Sequence, residues 1–228
     1  MIGLIGAMEA ETAAIKAELT HTTEETLSGI RFVRGFWGEK EIVVATCGIG
    51  KVFAALCAQT MILKYDPDCI INCGVAGGLH PNYCLLDVVL AKDVVQHDMD
   101  TSPIGDPKGL ISGINKIQLP ADEALTATLK TAAEGLGCTV HLGRIASGDQ
   151  FIADESKKTA IRADFSADCC EMEGAAIGQV CYVNQVPFAI LRTLSDGAGS
   201  DAQMDYPTFA AKAATQSIAI LRAFVLAK

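Results

Sequence analysis

The chain has 228 residues, with 27 acidic and 18 basic side chains for a net charge of −9; half its residues are hydrophobic and a fifth are charged. That composition excludes a disordered tail and a highly charged coiled coil, and the acidic balance argues against a protein that grips a nucleic-acid backbone. At about 150 residues per domain, the length favours one domain over residues 1–228 with a sizeable core.

Short apolar runs rich in β-branched residues alternate with helical patterns. Ile2–Ile5 reads as a strand and Glu9–Leu19 as a helix. Ile30–Phe36 and Glu41–Thr46 read as a hairpin turning at Gly38-Glu39-Lys40. Val52–Leu63 has helical spacing, with Val52, Leu56 and Leu63 on one face. Cys69–Cys73 and Asp87–Ala91 read as strands, the first almost wholly apolar and therefore central. Ala121–Leu136 reads as a helix, Thr139–Ile145 as a strand, Ser156–Ala163 and Met172–Tyr182 as helices, Val186–Arg192 as a strand and Tyr206–Ala227 as the closing helix. Such alternation indicates an α/β sheet covered on both faces. The longest stretch without periodicity is Lys92–Pro120; a loop of that length is usually functional or an interface element. Its apolar residues Ile104, Leu110, Ile111, Ile114 and Ile117 are expected to pack on a second subunit.

The nine cysteines are odd in number, form no CxxC pair and lie mostly in apolar runs, so free buried thiols in a reducing compartment are expected. No spacing resembles a zinc site, and the His97-Asp98-Met99-Asp100 stretch reads as a hydrogen-bonded loop, so no metal is expected. No apolar run approaches the roughly 20 residues that span a bilayer, and Arg222 interrupts the run from Ile218 to Val225, which reads as a buried helix. The opening MIGLIGAMEAE has no basic start and soon meets Glu9 and Glu11, which does not read as a secretory signal. A cytoplasmic protein without membrane contact is expected. Trp37, the lone tryptophan, reads as packing.

Three glycine-bearing turns follow strands: Gly3 to Gly6, Cys47-Gly48-Ile49-Gly50-Lys51 and Cys73-Gly74-Val75-Ala76-Gly77-Gly78. None spells a phosphate loop, since Val52 stands where Ser or Thr belongs and Ala45 where the first glycine does. They either form tight turns or let backbone approach a ligand at the ends of strands. Carboxylates stand in three suggestive places. Glu11 lies in the first turn of a helix, where the dipole alone would favour it. Glu171 and Glu173 sit between cysteines and a run of small residues. Asp196 follows the apolar run Phe188–Leu191, where a helix cap would also explain it. Brought together, Glu11, Glu173 and Asp196 would suit a reaction with a cationic transition state and a leaving group that needs a proton.

The string Gly3-Leu4-Ile5-Gly6-Ala7-Met8-Glu9-Ala10-Glu11 resembles the start of bacterial 5′-methylthioadenosine/S-adenosylhomocysteine nucleosidases. So do Gly48-Ile49-Gly50-Lys51-Val52, Asn72 to Gly78, Ser147-Gly148-Asp149-Gln150-Phe151-Ile152, Glu171-Met172-Glu173 and Ser195-Asp196, in the family's order over essentially the whole chain. The resemblance implies a nucleoside phosphorylase-like fold, three-layer α/β/α with a central mixed sheet, in a homodimer whose pockets are completed across the interface. It implies hydrolysis of methylthioadenosine or adenosylhomocysteine to adenine and a thioribose, with 5′-deoxyadenosine as a further candidate, and no cofactor. By the same resemblance, Glu11 activates water, Asp196 protonates adenine N7 with Ser195 orienting it, and Glu173 holds the ribose hydroxyls with Met172 against the sugar. Phe151 stacks on adenine and the Ile152 backbone reads its edge. Met8, Ile49, Val75, Ala76, Gly77 and Glu171 belong to the same pocket, Arg192 lies near the water and Glu11, and Tyr206 stands in the lid where relatives often carry Phe.

The chain departs from the family at Asp100–Gly113, where the aromatics that wall the 5′ group in relatives are missing, and at Val75, where some relatives carry Ser. Two other functions stand beside hydrolysis. A phosphorylase of the same superfamily would hold phosphate with an arginine and a serine, but those positions here are Asn72 and Val75, which would leave a dianion badly compensated. A non-catalytic nucleoside-binding protein would have no use for Glu11, Glu173 and Asp196 together.

Overall fold

The computed structural model describes residues 1–197 and 202–227, with residues 202–208 described by backbone alone. The chain runs β1 (Ile2–Gly6), α1 (Glu9–Glu18), β2 (Thr20–Leu27), β3 (Ile30–Trp37), β4 (Lys40–Thr46), α2 (Lys51–Tyr65), β5 (Cys69–Gly78), β6 (Val88–Gln96), β7 (Leu119–Pro120), α3 (Glu123–Gly135), β8 (Val140–Ser147), α4 (Glu155–Phe165), β9 (Cys169–Glu171), α5 (Gly174–Asn184), β10 (Phe188–Asp196) and α6 (Ala202–Leu226). Local chemistry sets several boundaries. Asp122 and Asp154 precede α3 and α4, where each carboxylate accepts a backbone N–H of the first turn, from Leu125 at 2.9 Å and Lys157 at 3.0 Å.

The sheet is mixed, with helices on both faces. β1 runs parallel to β4 and β5, and β5 parallel to β10, whereas β6 is antiparallel to β10. β5, β10, β6, β8 and β9 close into a ring, because β6 pairs with β8, β8 with β9, and β9 returns to the end of β5 through Gly77–Cys170 and Gly78–Cys169. One face buries Ile5, Val43 and Ile70 beneath Ala58 and Met61 of α2 and Ile177 and Cys181 of α5. The other buries Leu4, Ile71 and Leu191 beneath Ile15 of α1, Leu129 of α3 and Ile218 and Leu221 of α6. Within α6, Phe209–Leu226 has the length and mean hydropathy, 1.3, of a membrane span. Its Ala213, Ala214, Ile220, Leu221 and Val225 are buried within the fold, on the side that faces the sheet and its neighbouring helices.

Several expectations are corrected. β2 was not expected: its residues, Thr and Glu for the most part, carry no apolar alternation because it is an exposed edge strand paired on β3 alone. β5 continues past Cys73 to Gly78. β6 continues past Ala91 to Gln96 through a register shift at Ala91/Asp93, and Asp93 is paired with Arg144 at 2.5 Å, so Lys92–Asp93 is no strand end. The irregular stretch therefore starts at His97. Within it, Ile111 is buried in the chain's own core, Leu110, Ile114 and Ile117 are partly buried, the last two against the chain's own clusters, and Ile104 is 81% exposed. α5 begins at Gly174 rather than Met172, after the short strand β9. β10 runs on through Asp196, so Ser195 and Asp196 lie on a strand. Val52, Leu56 and Leu63 share a face of α2 that is exposed, while Ala54, Cys57, Ala58 and Met61 form its buried face. Trp37 is packed as expected, donating from Nε1 to Glu18 at 3.1 Å. The nine cysteines are free, seven of them buried.

Candidate active site

A cleft opens where the ends of several strands meet. Ala7, Met8 and Glu11 follow β1; Ile49 lies in the turn between β4 and α2; Val75, Ala76 and Gly77 come from β5. Gln150, Phe151 and Ile152 follow β8, Cys170 to Glu173 come from β9 and the start of α5, and Ser195 and Asp196 end β10. The structure thus brings together the site residues expected from sequence, with two qualifications. Arg192 lies behind the cleft rather than on its wall, and the Tyr206 side chain is outside the described residues. Ala7, Gln150 and Cys170 line the cleft without having been expected.

Glu11 is 3% exposed and held from three sides. Its Oε2 accepts the backbone N–H groups of Ala7 at 2.7 Å and Met8 at 2.9 Å, and its Oε1 that of Val75 at 3.2 Å. Burial pushes its carboxyl above the usual range, with Arg192 and these N–H groups pulling the other way. Gly74 makes this approach possible, since a Cβ there would lie 2.5 Å from Glu11 Oε1 and 2.4 Å from Arg192 Nη1.

Arg192 is wholly buried. Its Nη2 donates to Asn72 Oδ1 at 2.5 Å and pairs closely with Glu171 Oε2, and lies 3.8 Å from Glu173 Oε2. The surrounding carboxylates hold its proton more firmly than usual, against the opposing effect of burial. Asn72 is turned away from the cleft, its Nδ2 donating to the Ile5 carbonyl at 2.9 Å. Glu171 is fully committed: besides Arg192 it accepts Ser147 Oγ and the backbone N–H groups of Glu173 at 3.1 Å and Gly174 at 2.8 Å. It ties β8, β9, β10 and the start of α5 into one floor.

Glu173 Oε1 accepts the Gly50 N–H at 2.9 Å, reached across the cleft from the turn before α2, while its Oε2 faces Arg192 Nη2 at 3.8 Å. Burial first, then the neighbouring Glu171 charge, pushes its carboxyl up to about 7. Asp196 is 2% exposed. Ser195 Oγ lies 3.0 Å from Asp196 Oδ1, to which it donates, and a Cβ at Gly77 would come within 2.8 Å of Asp196 Oδ2. Phe151 and Ile49, each about half exposed, flank the mouth. No group of three or more His, Cys, Asp or Glu side chains among the described residues is arranged to hold a metal ion. In the His97–Asp100 stretch, Asp98 pairs with Lys51 at 2.6 Å and Asp100 accepts the Ser102 N–H at 2.9 Å.

The family model of the phosphorylase superfamily matches residues 1–226. A 5′-methylthioadenosine/S-adenosylhomocysteine nucleosidase of Shewanella sp. (strain W3-18-1) is 38% identical over 217 residues, 95% of this chain and 94% of the relative. The crystal structure of the nucleosidase of that name from Neisseria meningitidis, in complex with methylthio-immucillin-A, superposes with a TM-score of 0.94 at 32% identity, covering 98% of this chain and 97% of the other. A futalosine hydrolase from Helicobacter pylori strain 26695 superposes with a TM-score of 0.93 at 36% identity, covering 98% and 96%. The chain belongs to the phosphorylase superfamily and, within it, to the 5′-methylthioadenosine/S-adenosylhomocysteine nucleosidase family.

Proposed function

We propose that this protein hydrolyses the N-glycosidic bond of 5′-methylthioadenosine and S-adenosylhomocysteine, releasing adenine and the corresponding thioribose. The observation that carries the reading is the convergence of Glu11, Glu173 and Asp196 on one cleft, with Arg192 committed to Glu171 behind it.

Breaking the bond leaves positive charge on the ribose and negative charge on the purine. Glu11 and Glu173, both buried, face the sugar end of that charge separation, where burial leaves their field less screened than in water. A raised carboxyl makes Glu11 a stronger proton acceptor, suited to taking the proton of an attacking water. Glu173 takes the ribose hydroxyls, with Met172 against the sugar. Asp196 gives its proton to adenine N7 as the bond opens, so the base leaves neutral; Ser195 turns its carboxyl. Phe151 stacks on the base, the Ile152 backbone reads its edge, and Tyr206 closes over the substrate. Met8, Ile49, Val75, Ala76 and Gly77 complete the wall.

Phosphate is disfavoured as the attacking group. Asn72, at the position where a phosphorylase would hold it with arginine, is turned to Arg192 and Ile5, and the Val75 N–H is taken by Glu11. An anion there would meet the Glu11 carboxylate rather than a cation. The test is adenine release in phosphate-free buffer: undiminished turnover with a free thioribose product supports hydrolysis, and a ribose 1-phosphate product overturns it.

The chain acts in this reading as one catalytic unit and as a homodimer. Support for the dimer comes from an exposed apolar face on α2 and α5, formed by Val52, Phe53, Leu56, Leu63, Tyr182 and Val183, and from Ile104. Seven buried free thiols suit a reducing cytoplasm, where the reaction would feed methionine salvage. The futalosine hydrolase among the similar structures adds one compound to a substrate panel that otherwise varies the 5′-alkylthio group.

A further inference from the structure

Three segments that border the cleft meet beside it through residues that do not themselves line it. Lys51 opens α2, Asp98 follows β6, and Asp149 follows β8. Lys51 Nζ lies 2.6 Å from Asp98 Oδ1 and 3.0 Å from Gln96 Oε1. Asp98 Oδ2 accepts the Asp149 N–H at 2.9 Å, and Asp149 Oδ1 accepts the Lys51 N–H at 2.7 Å. The three residues form a cycle: side chain of Lys51 to Asp98, Asp98 to the backbone of Asp149, side chain of Asp149 back to the backbone of Lys51. Gly50 permits it, having φ of +101° and no Cβ; one built there would lie 3.0 Å from Asp149 Oδ1. His97 packs against Gly148 at the same junction.

Each end of this cycle is one residue from a wall of the site. On one side stands Gly50, whose N–H holds Glu173, and beside it Ile49. On the other stand Gln150, Phe151 and Ile152. Ile49 and Phe151, on these two walls, are half exposed at the mouth. We propose that Lys51, Asp98 and Asp149 form a latch that sets the distance between the sugar-holding and base-holding walls, with Lys51 and Asp98 as positioning residues for Glu173 and Phe151. The inference rests on the assignment of those two walls under the proposed hydrolysis. Because the cycle is built from charge-assisted bonds that are about four-fifths shielded from solvent at Lys51 and Asp98, it holds its shape better than a surface ion pair would. A loosened latch lets the walls drift apart in the free enzyme, so substrate must supply the ordering, and this is read in KM more than in kcat.

The test uses the whole protein. Wild-type turnover of methylthioadenosine first establishes the reaction, so that a failure of the proposed function is seen before any variant is made. Lys51→Met removes the ammonium and keeps the stem; Lys51→Arg restores a cation. Lys51→Met is expected to raise KM about tenfold while kcat falls less than about threefold, and Lys51→Arg to recover most of the KM. In a Glu173→Gln background the same Lys51→Met change is expected to cost less in kcat/KM than it does in the wild type, because holding the Glu173 carboxylate in place is part of what the latch contributes. Asp98→Asn serves as the second variant should Lys51→Met fail to fold, with the same expected split. An unchanged KM in a folded variant, or effects of Lys51→Met and Glu173→Gln that multiply independently, overturns the latch.

Discussion

Arg192 and Gly74 sit opposite each other in the parallel pair β10–β5, and a single carbon added to Gly74 would lie 2.4 Å from the guanidinium. The same carbon would lie 2.5 Å from Glu11. A hydrogen atom on one strand is thus the space in which the buried cation and a buried carboxylate meet.

Gly74→Ala therefore tests the site without changing any polar group. The methyl group must displace Arg192 or Glu11, an overpacking cost of about 1–3 kcal/mol, and the site geometry with it. The expected result is a folded protein with a Tm lower by several degrees and kcat/KM reduced at least about a hundredfold. Wild-type kinetics in that variant would show that the Glu11–Arg192 geometry does not matter to turnover.

Asp196→Asn keeps the shape of the side chain and its bond from Ser195 but removes the proton to be donated. A loss of about 10²–10⁴ in kcat, with KM altered no more than about threefold, is expected in steady-state assays of adenine release. A variant within tenfold of wild-type kcat would require another acid for the leaving base.

Glu173 predicts a pH signature in stability. Its carboxyl is raised in the folded chain from the ordinary 4.5 to about 7, so folding takes up a proton between those values. The native state then holds more protons than the unfolded one, and this group's contribution, full below about pH 4.5, is lost as pH rises towards 7. Glu173→Gln keeps an acceptor for the Gly50 N–H but carries no titrating proton. Relative to wild type, its Tm is expected to rise as pH goes from 4.5 to 7, read by calorimetry in matched buffers. A constant difference across that range would mean that Glu173 titrates normally.

The exposed apolar face of α2 predicts the assembly. Val52, at 78% exposure, and Leu63, at 77%, would be costly to leave in water with Phe53 and Leu56 beside them. Sedimentation is expected to give twice the chain mass, and Leu56→Asp with Val52→Asp to give the single-chain mass together with a raised KM for 5′-substituted nucleosides. A wild-type protein that sediments as a fully active monomer would end that proposal.

How much of this was legible before the structure differs by element. The apolar runs of β1, β5 and β10 and the cores of the helices stand out because burial on both faces demands continuous Val, Ile and Leu. β2 is hidden because an edge strand needs no apolar face, and Thr-His-Thr-Thr-Glu-Glu-Thr-Leu satisfies its backbone on one side only. The second half of β6 is hidden because Lys92-Asp93 looks like an exit; Arg144, far along the chain, neutralises Asp93 there. In the site, Glu11, Glu173 and Asp196 are visible as acids out of place, but their assembly depends on strand order, which the resemblance supplied and periodicity does not. Ala7, Gln150 and Cys170 carry no signal of chemistry; they line the cleft by position next to Met8, Phe151 and Glu171. The isoleucines of the long loop read as unsatisfied because nothing in their spacing reveals that Ile111 and Ile117 turn back onto the chain's own clusters.

The closed ring of β5, β10, β6, β8 and β9 has a consequence for how the protein breathes. A ring has no terminal strand to peel, so its backbone amides can trade hydrogen for deuterium only when the whole unit opens, whereas β2, paired on one side, frays alone. Slow exchange along Ile190–Thr193 would then report global stability, and fast exchange along Thr20–Leu27 would report only the edge. Asp196, at the end of β10, and Glu171, in β9, are thereby fastened to that ring, whereas Glu11 on α1 and Glu173 at the start of α5 sit just outside it.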